Sequence, residues 1–346
     1  MRKFLSLCLA AAVTFGTASR TFAWDYEGHR TVNQLALASL PTDFPAFVRT
    51  AEARERIAFL AGEPDRWRNT PDLALRHINS PDHFIDLEHL VEAGISLSQL
   101  NEFRYSFTVQ LATARAAHPD LFPAIDPEKN KDQTRELIGF LPWSITECYS
   151  KLKSQFSYLK AYEENGIPEE IANAQANIIY VMGVMGHYVG DGAQPLHTTK
   201  HYNGWIGANP HGYTTARTFH GWIDGGFLIK TGGLSVTALT LRLKPATILP
   251  PPKNAGSRDA MFINALNYLA EQHTKLEPLY DLEKNGKLNA DSPAATEGRA
   301  FLENQLLTAG NMLGSIWLTA WREAPPDIFL QAQLVQRKAA STSPKP

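Results

Sequence analysis

One helix constrains this chain more than any other feature. Pro168 opens a helical pattern that runs to about Val189, with Glu169 and Glu170 in its first turn, where the helix dipole favours acids. Further helical patterns cover Glu27 to Leu40, which stops before Pro41, then Phe44 to Leu60, Leu97 to His118 and Trp143 to Glu164. After the stop at Pro250-Pro251-Pro252, Arg258 to Leu276 and Glu297 to Trp321 return to helix. Pro119 to Asp132 reads as a loop, and Asp191 to Gly233 as Gly-, His- and Trp-rich loop interrupted by short helical pieces. No internal repeat is visible, and no run alternates strongly enough for a sheet. The expectation is an all-α fold: a single multi-helix domain over residues 24–338, with residues 339–346 a disordered tail.

The first 23 residues fit a secretory signal. Arg2 and Lys3 give a positive start, and Phe4 to Val13 is an apolar run too short to span a bilayer. Thr21-Phe22-Ala23 offers a small–x–small cleavage site. Secretion, or export to a periplasm, is therefore expected. Cleavage after Ala23 leaves 346 − 23 = 323 residues, ample for a core. It also removes Arg2, Lys3 and Arg20, which takes the formal net charge from −2 to −5. A chain this acidic has no broad basic face for gripping nucleic acid by counterion release. If it acts on phosphates, bound cations must supply the positive charge. Cys8 leaves with the signal, so Cys148 stands alone and no internal disulfide can form.

The eleven histidines are unevenly spread. His187, His197, His201 and His211 lie within 25 residues, and His220 follows. His187 and Asp191 are four apart, so on a helix they share a face. Gly192 and Pro195 break that helix, and the chain can then return His197 to the same cavity. His220 and Asp224 repeat the four-residue spacing. Nitrogen and oxygen ligands without a usable cysteine suit zinc, and manganese or iron less well. One His–x–x–x–Asp pair alone is as compatible with a solvated or capping pair. Two such pairs with His197 among glycines and aromatics point to metal. Upstream, Asp65-Arg66-Trp67-Arg68 and Asp82-His83-Phe84-Ile85-Asp86 would each read alone as a surface salt bridge or turn.

Together these pieces resemble the S1/P1 nuclease family, grouped with the bacterial zinc-dependent phospholipases C. The resemblance rests on Trp24 with His29, on Asp65-x-x-Arg68, on His83-Phe84-x-Asp86, on the ungapped His187-x-x-x-Asp191-x-x-Gln194-Pro195-Leu196-His197, and on His220-x-x-x-Asp224. The order is kept, and the motifs span about two thirds of the chain. The resemblance implies a multi-helix domain of the phospholipase C/P1 nuclease type with a trinuclear zinc site in a cleft. Asp65, His83, His187 and Asp191 would hold the first ion, and His197, His220 and Asp224 the second. Trp24, through its freed amine and its carbonyl, would hold the third with His29 and Asp191. Asp65 and Arg68 would be catalytic, Asp65 orienting water and Arg68 contacting phosphate.

Phe84 and Asp86 fit the family's base-binding pocket. They are as readily a core phenylalanine and an acid that orients a ligand histidine. The implied substrate is single-stranded nucleic acid or nucleotides, with phospholipid as the alternative. No stable protein partner is implied, and a monomer is expected. Trp205, Trp222 and Tyr213 are candidates for an apolar rim that a lipid substrate would want. The close Trp24–His29 spacing, and Asp224 where the phospholipases generally carry Glu, favour the nuclease side. The long segment Leu97 to Ser157 matches none of the motifs and is expected to cover or reshape the cleft. His77, His89, His118 and His273 read as structural or surface groups.

Overall fold

The computed structural model describes residues 24–122 and 124–342. The proposed signal segment lies outside the described residues. In chain order the helices are α1 (Tyr26–Ser39), α2 (Ala51–Leu60), α3 (Glu63–Arg68), α4 (Leu73–Asn79), α5 (Leu87–Glu92), α6 (Arg104–Ala117), α7 (Leu141–Asn165) and α8 (Pro168–Ala193). They continue with α9 (Phe219–Gly221), α10 (Phe227–Lys230), α11 (Val236–Thr240), α12 (Ala260–His273), α13 (Leu276–Lys284), α14 (Ala295–Glu323) and α15 (Ile328–Thr342). Among the described residues there is no strand, only an isolated bridge between Tyr202 and Gly204. The all-α expectation holds.

Helix α8 is the axis. It packs against α1, α2, α7, α12 and α14. Every residue from Val181 to Ala193 is buried. That explains why its polar face disappears in the second half: there is no solvent side left to serve. The helix passes Val189 and continues through Gly190 and Gly192 to Ala193, because neighbouring helices come too close for side chains there. A Cβ on Gly186 would sit 1.5 Å from Asn33 Oδ1, and one on Gly190 would sit 2.9 Å from His29 Nδ1. Both neighbours belong to α1. Asn33 in turn donates to the Ile57 and Gly183 carbonyls, at 2.7 and 3.0 Å, and so ties α1 to α2 and α8.

Several boundaries depart from the sequence reading. The pattern from Phe44 to Leu60 is broken at Thr50, whose hydroxyl caps α2 by accepting from Ala53 N–H. The Leu97 to His118 pattern becomes helix only from Arg104, because Asn101 turns the chain with a bond from Phe103 N–H to its Oδ1. Residues 339–342 are not a disordered tail but the last turn of α15. Arg337 clasps Glu170 with two bonds of 2.7 and 2.8 Å, and Lys338 reaches the Glu164 carbonyl, which fixes the end of that helix on α7 and α8. Residues 343–346 lie outside the described residues.

The α1–α8 approach is testable. Gly186→Ala should destabilise the fold by about 1–3 kcal/mol, because the added methyl cannot be accommodated without moving Asn33. Denaturant unfolding of the variant measures this, and an unchanged midpoint would contradict the packing.

Candidate metal centre

Helix α8 delivers His187 and Asp191 to one face, both fully buried. The Ala61 carbonyl, 2.7 Å from His187 Nδ1, fixes that ring and aims Nε2 inward. A ligand histidine held through its other nitrogen is the usual device for setting ring orientation and tautomer. Helix α1, capped by Asp25 through Gly28 N–H at 2.9 Å, places His29 parallel to His187, with ring centroids 3.8 Å apart. Helix α3 brings Asp65, and the turn at Ser80–His83 brings His83.

These side chains converge on Asp191. Its Oδ2 lies 2.9 Å from His83 Nδ1 and 3.4 Å from His187 Nε2, and those two nitrogens are 2.9 Å apart. Asp65 Oδ1 stands 3.8 Å from His187 Nε2. The other oxygen, Asp191 Oδ1, faces His29 Nε2 at 3.4 Å. One carboxylate thus presents one oxygen to His83 and His187 and the other to His29.

The remaining group forms where the chain doubles back. The Pro195–Thr198 turn returns His197, whose Nδ1 lies 2.6 Å from the His83 carbonyl. Its Nε2 then meets His220 Nε2 at 3.0 Å, and His220 Nε2 lies 3.1 Å from Asp224 Oδ2. Asp224 rides a single widened π-helical turn, Trp222–Gly226, a local feature that recurs at functional sites. Gln194 donates to Asp224 Oδ1 at 2.9 Å and fixes that carboxylate.

Three buried groups are therefore able to hold metal: His29, His187 and Asp191; Asp65, His83 and His187; and His197, His220 and Asp224. Two ligands at about 2.0–2.1 Å from a tetrahedral ion stand about 3.3–3.4 Å apart, and the separations above bracket that value. The electrostatics point the same way. Burial, the largest influence, pushes the carboxyls of Asp191 and Asp224 well above their ordinary range. Burial likewise holds His83, His187 and His220 well below theirs, and takes His197 down to about 3. His83 Nε2, His220 Nδ1, Asp191 Oδ1 and Asp224 Oδ2 are buried without a hydrogen-bond partner. So many unsatisfied acceptors cost free energy unless cations compensate them.

Every sequence-derived ligand other than Trp24 falls in one of these groups. The partition differs in two respects: His187 belongs to both the Asp65 group and the His29 group, and Asp191 groups with His29 and His187 alone. Trp24 is fully buried, and its indole donates to the Gly190 carbonyl at 2.9 Å, while Asp25 N–H bonds the Asp224 carbonyl at 3.0 Å. The residue is thereby held between Asp191 and Asp224. Arg68 lies at the edge of the cluster, its Nε 2.8 Å from Asp65 Oδ1, with its side chain 16% exposed.

Phe84 and Asp86 share one side of an extended stretch. They are half-buried, while His83 and Ile85, which alternate with them, are fully buried. Asp86 bonds no ligand histidine, so it does not orient one. It retains some contact with solvent, yet burial pushes its carboxyl up to about 8, with repulsion from Glu88 adding to the effect. The stretch is clamped by Ile85 N–H on the His197 carbonyl and Asp86 N–H on that of Ile138. Segment 97–157 thus supports the Phe84–Asp86 stretch from behind: Gly139, at φ +98°, passes so near that a Cβ would lie 2.0 Å from the Phe84 carbonyl oxygen.

The aromatic rim does not form from the residues expected. Tyr213 is buried, and Trp205 and Trp222 pack inward, Trp205 stacking on buried His201 at 4.0 Å. His201 is structural, accepting from Ile206 N–H at its Nδ1. Cys148 is buried, burial pushes its thiol up to about 12, and it joins none of the three groups. Sequence reasoning assigned no role to Gln194, although its place inside the longest motif was the available signal. No family model matches the chain, and no curated protein or solved structure is similar enough to it to count as a match.

The shared position of His187 has a measurable consequence. Elemental analysis should show His187→Ala losing more bound metal per chain than His220→Ala, since the first removes a side chain common to two groups. Equal losses, or no tightly bound metal in the unaltered protein, would contradict the arrangement.

Proposed function

We propose that this chain is an exported zinc-dependent phosphodiesterase of the S1/P1 nuclease type, cutting P–O3′ bonds of single-stranded nucleic acid or 3′-nucleotides. One observation carries the reading. Eight histidines and aspartates from five separate stretches of chain meet in three buried groups, with an arginine at the edge that meets solvent. A store for metal alone would have no use for that arginine.

In this reading Asp65, His83, His187 and Asp191 hold one zinc ion, and His197, His220 and Asp224 a second. His29, Asp191 and Trp24, once its amine is freed by removal of the leader, hold a third. Zinc supplies water acidified toward neutrality and offsets charge on the phosphoryl oxygens. The chain's own groups do the rest. Arg68 leaves Asp65 and turns its planar fork to two phosphoryl oxygens, a geometry lysine cannot match. Asp65, released, orients the attacking water. Phe84 offers a ring face to a base, and Asp86, with its raised carboxyl, meets the base edge. Acting as a monomer at net charge −5, the protein would draw its attraction for phosphate from the ions and Arg68 rather than from a basic surface.

A phospholipase C is the second reading, and one observation favours it. Val91, Phe103, Tyr105 and Val109 are all more than half exposed and lie on the segment that follows Phe84–Asp86. They supply the apolar surface that Trp205, Trp222 and Tyr213 do not.

Assays of the zinc-loaded chain beginning at Trp24 separate these readings. Turnover of single-stranded DNA, RNA or 3′-AMP is expected, with Arg68→Ala lowering kcat/KM by about 10²–10³ at unchanged metal content. Turnover of phosphatidylcholine alone would move the assignment to the second reading, and metal binding without any turnover would remove both.

The role of Trp24 has its own readout. A chain with one extra residue before Trp24 should bind one metal ion fewer than the chain beginning there; equal metal content would show that the amine is not a ligand.

A further inference from the structure

Behind the His220 turn lies a cavity of about 190 Å³. Two stretches of chain line it, one from Thr214 to Trp222 and one from Glu283 to Asn289. Its volume falls below the roughly 300–1,000 Å³ of sites for drug-sized ligands, so it suits a small ion or a headgroup. Its lining is apolar, hydroxylic and, at Asn289, amide, with a single charged group. Among the described residues that group, Glu283, has no salt-bridge or side-chain hydrogen-bond partner, and burial raises its carboxyl above the ordinary range. Nearby cations are turned elsewhere: Lys284 donates to the His211 carbonyl, and Lys287 pairs with Glu297 at 2.6 Å. Arg217, between the lining residues Ala216 and Thr218 and close enough to act on Tyr280, is not itself part of the lining. The Trp222 indole is pinned by its N–H, which donates to the Leu288 carbonyl at 2.9 Å, so the ring is fixed as part of the wall.

We propose that this cavity binds a small organic ammonium ion, held between the Glu283 carboxylate and the Trp222 ring. A carboxylate with no protein partner takes up the charge. An indole, the best of the aromatic faces for this purpose, favours a cation whose methyl or methylene groups rest on it. Thr214, Thr218 and Asn289 can meet N–H groups where the ammonium carries them. The shared chemistry covers a free amine and the ammonium headgroup of a lipid. Phe219 and Trp222 flank His220, and the turn beginning at Trp222 carries Asp224, so the occupant would press on the stretch that presents the third ligand group. The proposal does not depend on the phosphodiesterase reading and can fail separately from it.

Calorimetric titration of the metal-loaded protein with choline, and with its uncharged analogue 3,3-dimethylbutan-1-ol, tests the assignment. Saturable choline binding is expected, with Glu283→Gln and the uncharged analogue each weaker by about tenfold or more. Glu283 is partly exposed and unpaired, so the amide should leave the fold intact; thermal unfolding of the variant checks this. Choline binding that Glu283→Gln leaves unchanged, equal binding of the uncharged analogue, or no binding would overturn the proposal. Phosphatidylcholine vesicles then distinguish the source. Co-sedimentation lost in Glu283→Gln identifies a lipid headgroup, whereas choline binding without co-sedimentation identifies a free amine.

Discussion

The structure depends on how closely α1 lies against the second half of α8. Gly186 and Gly190 remove the side chains that would hold the two helices apart, and Asn33 fills the space with hydrogen bonds to Ile57 and Gly183. Only at that separation does His29 stack on His187 and reach Asp191. The same contact explains why a helix carrying four glycines between Gly183 and Gly192 does not fray. Glycine costs roughly 1 kcal/mol relative to alanine inside a helix, and packing on several sides offsets it.

A cluster of this composition is expensive to bury. Five histidines and three aspartates lie together in the buried groups, and several of their ring nitrogens and carboxylate oxygens have no hydrogen-bond partner. The surrounding protein lowers the cost by fixing each ligand through its spare atom. Ala61 holds His187, the His83 carbonyl holds His197, and Gln194 holds Asp224. Such preorganisation leaves these side chains aimed inward, at distances within each group that suit one ion. It also explains the close fit of the backbone around the site, where His83, Ile85 and His197 are linked through one another's main chain.

The exposed edge of the cluster is narrow. Arg68 reaches it, its side chain 16% exposed, while Asp65 and the histidines of the three groups are buried. Phe84 and Asp86 are half-buried on an extended stretch of their own. Segment 138–141 supports that stretch from behind, giving the long insertion between Leu97 and Ser157 a structural role even though it contributes no ligand.

Much of this was written locally. The four-residue spacing of His187 with Asp191 and of His220 with Asp224 follows from helix geometry, and the helical periodicity was strong enough to set the class of fold. What local pattern cannot carry is which residues from distant stretches share an ion. Thus the shared position of His187, the support Gln194 gives Asp224 and the inward packing of Trp205 and Tyr213 emerge only in three dimensions. Asp86 and the end of α15 show the same limit: the first has no histidine to orient once the chain is folded, and the second is ordered by Arg337 on Glu170, 167 residues away. An all-helical chain carrying residues able to ligate metal is legible before folding, because periodicity and the four-residue His–Asp spacing are local properties of one helix. The tertiary structure alone decided how those ligands divide into groups and which side of them faces solvent, because both depend on distances between helices that sequence spacing does not encode.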